Sequence, residues 1–179
     1  MTEKKLDCVI LGLLAHEELT GYEIKRRIDR SLSYFWGASY GSIYPTLESL
    51  VKNGFAEKHS DEDSARNRQI YSVTPEGRER LKEWLSEPVQ RDELRSETLL
   101  KLFFGNEAGE GQTAGHIRAF REKTESSLAE LYTAEKNLSA CLDDDRAHGY
   151  YLMTVQFGIR TYEAWIKYCD EMLDRLGEG

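Results

Sequence analysis

Residues 39–55 read S-Y-G-S-I-Y-P-T-L-E-S-L-V-K-N-G-F, and the fold turns on how this stretch is taken. Ile43, Leu47, Leu50 and Val51 recur at i, i+4, i+7 and i+8, an apolar stripe at helical period. The other positions carry Ser42, Tyr44, Thr46, Ser49 and Lys52, with Glu48 as the only carboxylate. Pro45 is tolerated near a helix start, where its missing N–H has little or no intrahelical partner. Asn53-Gly54 supplies a left-handed stop, and Phe55 opens something extended. Small hydroxyls and tyrosines at a helix N-terminus suit phosphate oxygens and base edges. A helix over 41–53 that reads DNA is therefore expected.

The flanks fit that expectation. Upstream, L-D-C-V-I-L-G-L-L-A at 6–15 is apolar nearly all round and reads as a buried helix. Residues 16–19 read as a connection. Thr20 is a helix N-cap with Glu23 at the capping-box spacing, which predicts a second helix over about 21–33. Its apolar side is Tyr22, Ile24, Ile28 and Leu32, and Lys25, Arg26, Asp29 and Arg30 point outward. Downstream of Gly54 the period changes from 3.6 to 2. Residues 55–59 and 69–73 read as strands around the polar tip S-D-E-D-S-A-R-N-R at 60–68, a two-stranded hairpin or wing. Thr74-Pro75-Glu76-Gly77 starts a fourth helix, with Thr at the N-cap and Pro at its first position; Leu81, Trp84 and Leu85 give it an apolar face and Pro88 closes it. Helix, helix, helix, strand, strand, helix is the order of a winged helix-turn-helix.

Three segments carry a family resemblance: I-L-G-L-L at 10–14, G-Y-E-I at 21–24 and G-S-I-Y-P-T-L at 41–47. With Y-S-V-T-P-E-G at 71–77 they span about the first 85 residues in order. This pattern resembles the PadR family of bacterial transcriptional regulators. The second half, including E-T-L-L-K-L-F-F-G at 97–105, is similar to the longer subgroup related to virulence activators. The resemblance implies a dimeric winged-helix repressor with its third helix in the major groove and a helical C-terminal domain. It carries Arg66 and Arg68 over as wing contacts. The wing tip departs from the family, whose wings are often basic and glycine-containing: here Asp61, Glu62 and Asp63 stand without a glycine, and carboxylates beside phosphates cost affinity.

From residue 91 onward the pattern is helical throughout. Residues 94–104 form a short apolar helix ending at Gly105, N-E-A-G-E-G at 106–111 is a loop, and a long helix runs over about 112–142. Asp143-Asp144-Asp145 breaks it and caps the last helix, about 146–176. There Leu152, Val155, Ile159, Tyr162, Ile166, Cys169 and Leu173 form a heptad seam, and Tyr150, Phe157, Trp165, Tyr168 and Met172 a second face. A helix apolar on two sides needs two partners, its own long neighbour and a second subunit. Leu152, Val155, Ile159, Tyr162, Ile166 and Leu173 are the expected dimerisation residues, and a two-fold dimer matches paired half-sites. Trp165 and Tyr168 are candidate walls of a pocket for a small aromatic effector.

Charge and composition bound these readings. The net charge is −8, with 13 basic against 15 acidic residues in 1–88 and 11 against 17 in 89–179. The acidic excess lies mainly in the second half, while Lys25, Arg26, Arg27 and Arg30 cluster before the reading helix, and binding depends on the local patch. The acidic balance also keeps open an alternative, a winged helix that assembles with protein instead of DNA. No membrane span and no secretory signal are expected. Three dispersed cysteines suit a reducing compartment, so the expected location is cytoplasmic. His16, His59, His116 and His148 have no partner at metal-ligand spacing, and no glycine phosphate loop or nucleophile elbow is present, so neither cofactor nor catalysis is expected. The expected fold is mainly α, a winged helix-turn-helix domain over 1–88 followed by an all-helical dimerisation domain over 89–179. The expected DNA contacts are Lys25, Arg26, Ser39, Tyr40, Ser42, Tyr44, Thr46, Lys52, Arg66 and Arg68.

Overall fold

The computed structural model describes residues 3–60, 68–90, 92, 94–108, 110–142 and 145–177. The chain divides into two compact units, residues 1–92 and 93–179. The first unit runs α1 (Glu3–Leu14), β1 (Leu19–Thr20), α2 (Gly21–Ser31), α3 (Tyr40–Lys52), β2 (Ala56–Ser60), β3 (Gln69–Val73) and α4 (Pro75–Ser86). Its core is built where three helical stripes meet. Leu6, Ile10, Leu11 and Leu14 of α1, Ile24 and Ile28 of α2, and Ile43, Leu47 and Leu50 of α3 are all buried together. Each such aliphatic side chain contributes about 2 kcal/mol of transfer free energy.

The helix ends are fixed by local chemistry. At α2 the Glu23 N–H donates to the Thr20 hydroxyl at 3.2 Å while the Thr20 N–H donates to Glu23 Oε2 at 2.8 Å, a closed capping box. α3 ends in a Schellman turn: the Phe55 N–H reaches the Leu50 carbonyl at 2.9 Å and the Gly54 N–H the Val51 carbonyl at 3.1 Å. Gly54 sits there at φ +76°, a conformation that costs a residue with a Cβ. Thr74 then joins two elements, because its hydroxyl donates to the Gly54 carbonyl at 2.7 Å and accepts from the Gly77 N–H at 3.0 Å. A Cβ on Gly77 would lie 2.0 Å from the Phe55 carbonyl oxygen, so the T-P-E-G sequence is what lets α4 start hard against the end of α3.

The sheet has one strand more than the sequence suggests. β2 and β3 pair antiparallel from Ala56↔Val73 to Ser60↔Gln69, and β1 adds to the outer edge of β3 through Leu19↔Tyr71 and Thr20↔Ile70, giving the order β1-β3-β2. A two-residue strand has no period to detect, which is why residues 16–19 read as a connection. The expected wing tip, with Asp61, Glu62, Asp63 and Arg66, lies outside the described residues; Arg68 at its base is described and exposed.

The second unit holds α5 (Glu97–Phe103), a short 3-10 turn (Gly105–Glu107), α6 (Glu110–Ala140) and α7 (Arg146–Arg175). Ser96 caps α5 and Asp145 caps α7, each accepting a first-turn N–H; Asp143 and Asp144 are outside the described residues. α6 starts at 110, within the segment read as loop. α6 and α7, each about 45 Å long at 1.5 Å per residue, run antiparallel. Arg121 Nε donates to Asp170 at 2.5 Å, Tyr132 donates to Glu163 at 2.5 Å, and Gln156 donates to Glu135 at 3.1 Å, so positions fall on α7 as they rise on α6. Ala114, Ile117, Cys169 and Leu173 form the buried cluster at one end.

That pairing takes up part of the expected dimer seam within the chain itself. Val155, Ile159, Cys169 and Leu173 are buried inside this unit, with Leu152, Tyr162 and Ile166 half-buried beside them. The heptad seam is spent on the chain's own α6. Periodicity finds a buried face without saying which helix buries it. The opposite side of α7 is the open one: Tyr150, Met153, Phe157 and Tyr168 are exposed, Phe157 to 67%. Leu99, Leu100 and Phe103 of α5 and the following Phe104 are exposed as well. Among the described residues no helix is long and apolar enough to cross a membrane.

Candidate nucleic-acid interface

α3 has two sides with different fates. Ile43, Thr46, Leu47 and Leu50 are buried, at i, i+3, i+4 and i+7, while Tyr40, Gly41, Tyr44, Pro45, Glu48, Ser49 and Lys52 are exposed. On a helical wheel the exposed set spans one continuous arc centred on Gly41, Glu48 and Lys52.

Thr46 is therefore removed from the DNA face. It is only 7% exposed, and its hydroxyl donates to the Ser42 carbonyl at 2.7 Å. The apolar reading of α3 took positions 43, 47, 50 and 51 as the stripe and missed that i+3 from Ile43 also points inward. A threonine fits there because its hydroxyl finds a partner within its own helix.

The N-terminal end of α3 is a cluster of short hydroxyls. Ser39 is the N-cap by backbone conformation but makes no side-chain cap bond. Ser42 donates to the Ser39 carbonyl at 2.9 Å, and the two hydroxyl oxygens lie 3.3 Å apart. Pro45 is the sixth helical residue, deeper than expected from sequence, so the N–H it lacks is the one that would have served the Gly41 carbonyl. Gly41 and Pro45 are both exposed, so that carbonyl faces the same open side.

Tyr44 is half committed. It is 45% exposed, yet its ring lies over Gly21, where an added Cβ would come within 2.7 Å of Cε1. Gly21 is thus the close approach between α2 and α3. Beneath them Tyr71 of β3 is buried, and burial first, then the neighbouring Tyr44 and Glu48, hold its phenol above the usual range.

The basic residues of α2 divide. Lys25 is 14% exposed in its side chain, is ion-paired with Asp29 and has its ammonium 5.4 Å from the centre of the Tyr40 ring. It ties α2 to the first turn of α3, a positioning contact in place of an open cation. Arg27 is paired with Glu17. Arg26 is exposed and pairs with no described carboxylate. Arg68 helps to hold the Glu23 carboxyl below its usual range, after the larger effects of the Thr20 N–H and hydroxyl, so the base of the wing lies beside the α2 N-terminus. Lys52 ends α3 exposed. Gly41, Pro45 and Glu48 were not among the expected contacts; their spacing with Lys52 places them on the same exposed side.

Trp165 packs on Phe120 and Tyr162, with ring centres 5.5 and 5.4 Å away, as part of the α6–α7 contact, and Tyr168 is exposed. Shallow hollows lie against α4 and β2, lined largely by charged side chains such as Arg78, Glu79 and Lys58. No cluster of three metal-ligating side chains occurs among the described residues.

A three-helix unit with a hairpin wing and one open face on its third helix is a winged helix-turn-helix of the DNA-binding kind, here followed by a helical unit. The model of the transcriptional regulator PadR-like family matches residues 10–83, and that of the virulence activator alpha C-terminal family matches residues 94–177. The chain is 30% identical to the probable transcriptional regulator Rv1176c of Mycobacterium tuberculosis, over 94% of this chain and 96% of that one. It is 26% identical to the negative transcriptional regulator PadR of Bacillus subtilis, over 95% of this chain and 98% of that one. In fold it matches that protein in complex with operator DNA at a TM-score of 0.80 and 23% identity, covering 95% of this chain and 97% of that one. It matches the same protein in complex with p-coumaric acid at 0.73 and 24%, covering 97% and 99%. The PadR-like transcriptional regulator BC1756 from Bacillus cereus aligns at a TM-score of 0.80 and 28% identity, over 96% of this chain and 98% of that one. The chain belongs to the PadR family of DNA-binding transcriptional regulators.

Proposed function

We propose that this chain is a repressor that binds a pseudo-palindromic operator as a homodimer. α3 lies in the major groove and the 60–69 wing, through Arg66 and Arg68, meets the flanking backbone. The observation that carries this reading is the open arc of α3, an exposed face on a helix whose other face is packed into the core. Ser39, Tyr40, Ser42, Tyr44 and Lys52 are its contacts, with Arg26 on a neighbouring phosphate and Lys25 acting through Tyr40. The relative named as a negative regulator, whose structure holds operator DNA, supports the direction of regulation and operator DNA as the partner.

The two half-sites lie about one helical turn apart, roughly 34–36 Å centre to centre, and the second copy docks on the exposed apolar face of α7. A small aromatic effector fits the reading by analogy with the relative seen with p-coumaric acid, at a site other than the packed Trp165. The reading is tested by gel shift on DNA from upstream of the chain's own gene. Ser42→Glu, placing a carboxylate among phosphates, should abolish the shift while gel filtration and circular dichroism stay unchanged. Retained binding by that variant would remove α3 from the interface.

A further inference from the structure

Glu48 stands at the centre of the open arc of α3, the one carboxylate on a surface otherwise made of tyrosines, Gly41, Pro45, Ser49 and Lys52. It is exposed and makes no hydrogen bond or ion pair with any described residue. Lys52, one turn further on and at the spacing where helical ion pairs form, is not bonded to it. A carboxylate offers only acceptors. Facing a duplex, it meets phosphate oxygens with repulsion, so an acidic group at the middle of a reading surface weakens general affinity.

The major groove offers one edge that reverses this. Guanine presents O6 and N7, both acceptors; thymine presents O4; adenine places its N6 donor beside the N7 acceptor; cytosine alone presents the N4 amino group with no acceptor next to it. A carboxylate is therefore favoured most by cytosine, less by adenine, whose N7 acceptor flanks its amino donor, and is repelled by the acceptors of guanine and thymine.

Resting on the DNA-binding reading above, we propose that Glu48 is a specificity residue that selects a C·G pair in each half-site by accepting a hydrogen bond from cytosine N4. It acts chiefly by penalising the wrong bases. The hydroxyls at the N-terminal end of α3 and the cations around it supply the affinity that Glu48 withholds elsewhere.

The test is selection from a randomised double-stranded oligonucleotide library with the full-length protein, side by side with Glu48→Gln and Glu48→Ala. Wild-type sites should show one near-invariant C·G pair per half-site, and replacing it should weaken binding about tenfold or more. Glu48→Gln should move the preference at that position toward A·T, since a glutamine amide pairs with adenine N6 and N7. Glu48→Ala should bind sites altered at that position more tightly than wild type does, while keeping the rest of the consensus. Identical consensus sequences for wild type and both variants would overturn the assignment and leave the DNA-binding reading standing. Failure of the wild type to enrich any symmetric sequence would overturn both.

Discussion

At the scale of single residues, Thr46 and Lys25 show how a polar side chain can be legible as polar and illegible in its role. Both look like ligands in the sequence. Thr46 is drawn inward because four positions per two turns of α3 face the core, and its hydroxyl is satisfied by the Ser42 carbonyl. Thr46→Val keeps the shape and removes that bond. It should cost about 1 kcal/mol of stability and leave operator affinity within about twofold; a tenfold loss in filter binding would return Thr46 to the interface. Lys25 is held by Asp29 and Tyr40, whereas Arg26 is open. Counterion release then separates them. Arg26→Met should reduce the slope of log K against log salt by about one unit, while Lys25→Met should weaken binding with little change of slope. Equal slopes for the two variants would show that the two cations act alike. The exposure of Lys52 needed no structure to anticipate, since it falls opposite the apolar stripe, whereas Tyr40 and Tyr44 lie at the edge of that stripe and only the packing leaves them exposed.

At the scale of elements, the sequence is most readable where a local motif closes on itself. The capping box at Thr20 and Glu23, the stop at Gly54 and the start at Thr74-Pro75 all involve residues within a few positions of one another, and all three are present. β1 and the partner of the α7 seam depend on residues far away in the chain, so local pattern is silent about them. Gly77 joins both kinds of information. Its motif is local, but its necessity comes from the Phe55 carbonyl 2.0 Å from where a Cβ would sit. Gly77→Ala should destabilise the first unit by about 3 kcal/mol, the upper end for overpacking, in a urea titration. Gly115→Ala, on an exposed stretch of α6 with nothing near the added methyl, should be neutral or stabilising by up to about 1 kcal/mol. The capping box also gives a pH dependence of known sign. The Thr20 N–H and hydroxyl lower the Glu23 carboxyl in the folded state. Its contribution is therefore complete above the ordinary glutamate value, about 4.3, and is lost as pH falls through the lower folded value. Glu23→Gln should be less stable than wild type near neutrality, and the difference should shrink on acidification. A gap that stays constant down to pH 3 would mean the carboxylate's charge is irrelevant to the cap.

At the scale of the molecule, the question is what an acidic chain gains from a long helix, α7, with apolar surface on both sides. One side of α7 is consumed within the chain, where Val155, Ile159 and Leu173 meet α6. The other side, Tyr150, Met153 and Phe157, repeats at i, i+3 and i+7 and lies in the open, and a contiguous apolar patch of this kind marks an interaction site. On the proposed paired operator each winged helix would contact one half-site, and the acidic balance of the second half limits nonspecific attraction to DNA. The two faces of α7 should respond differently to substitution. Leu173→Ala cuts into the intrachain core and should lower stability by about 2–5 kcal/mol, with the dimer constant little changed once the protein is folded. Phe157→Glu should leave the circular dichroism spectrum intact and weaken self-association at least about thirtyfold. Operator binding should fall with it and become steeply dependent on protein concentration. Sedimentation equilibrium on both variants separates these outcomes. If Phe157→Glu sediments as wild type does, the exposed face of α7 is not where a second copy docks, and the paired reading of the operator must be assembled through another surface.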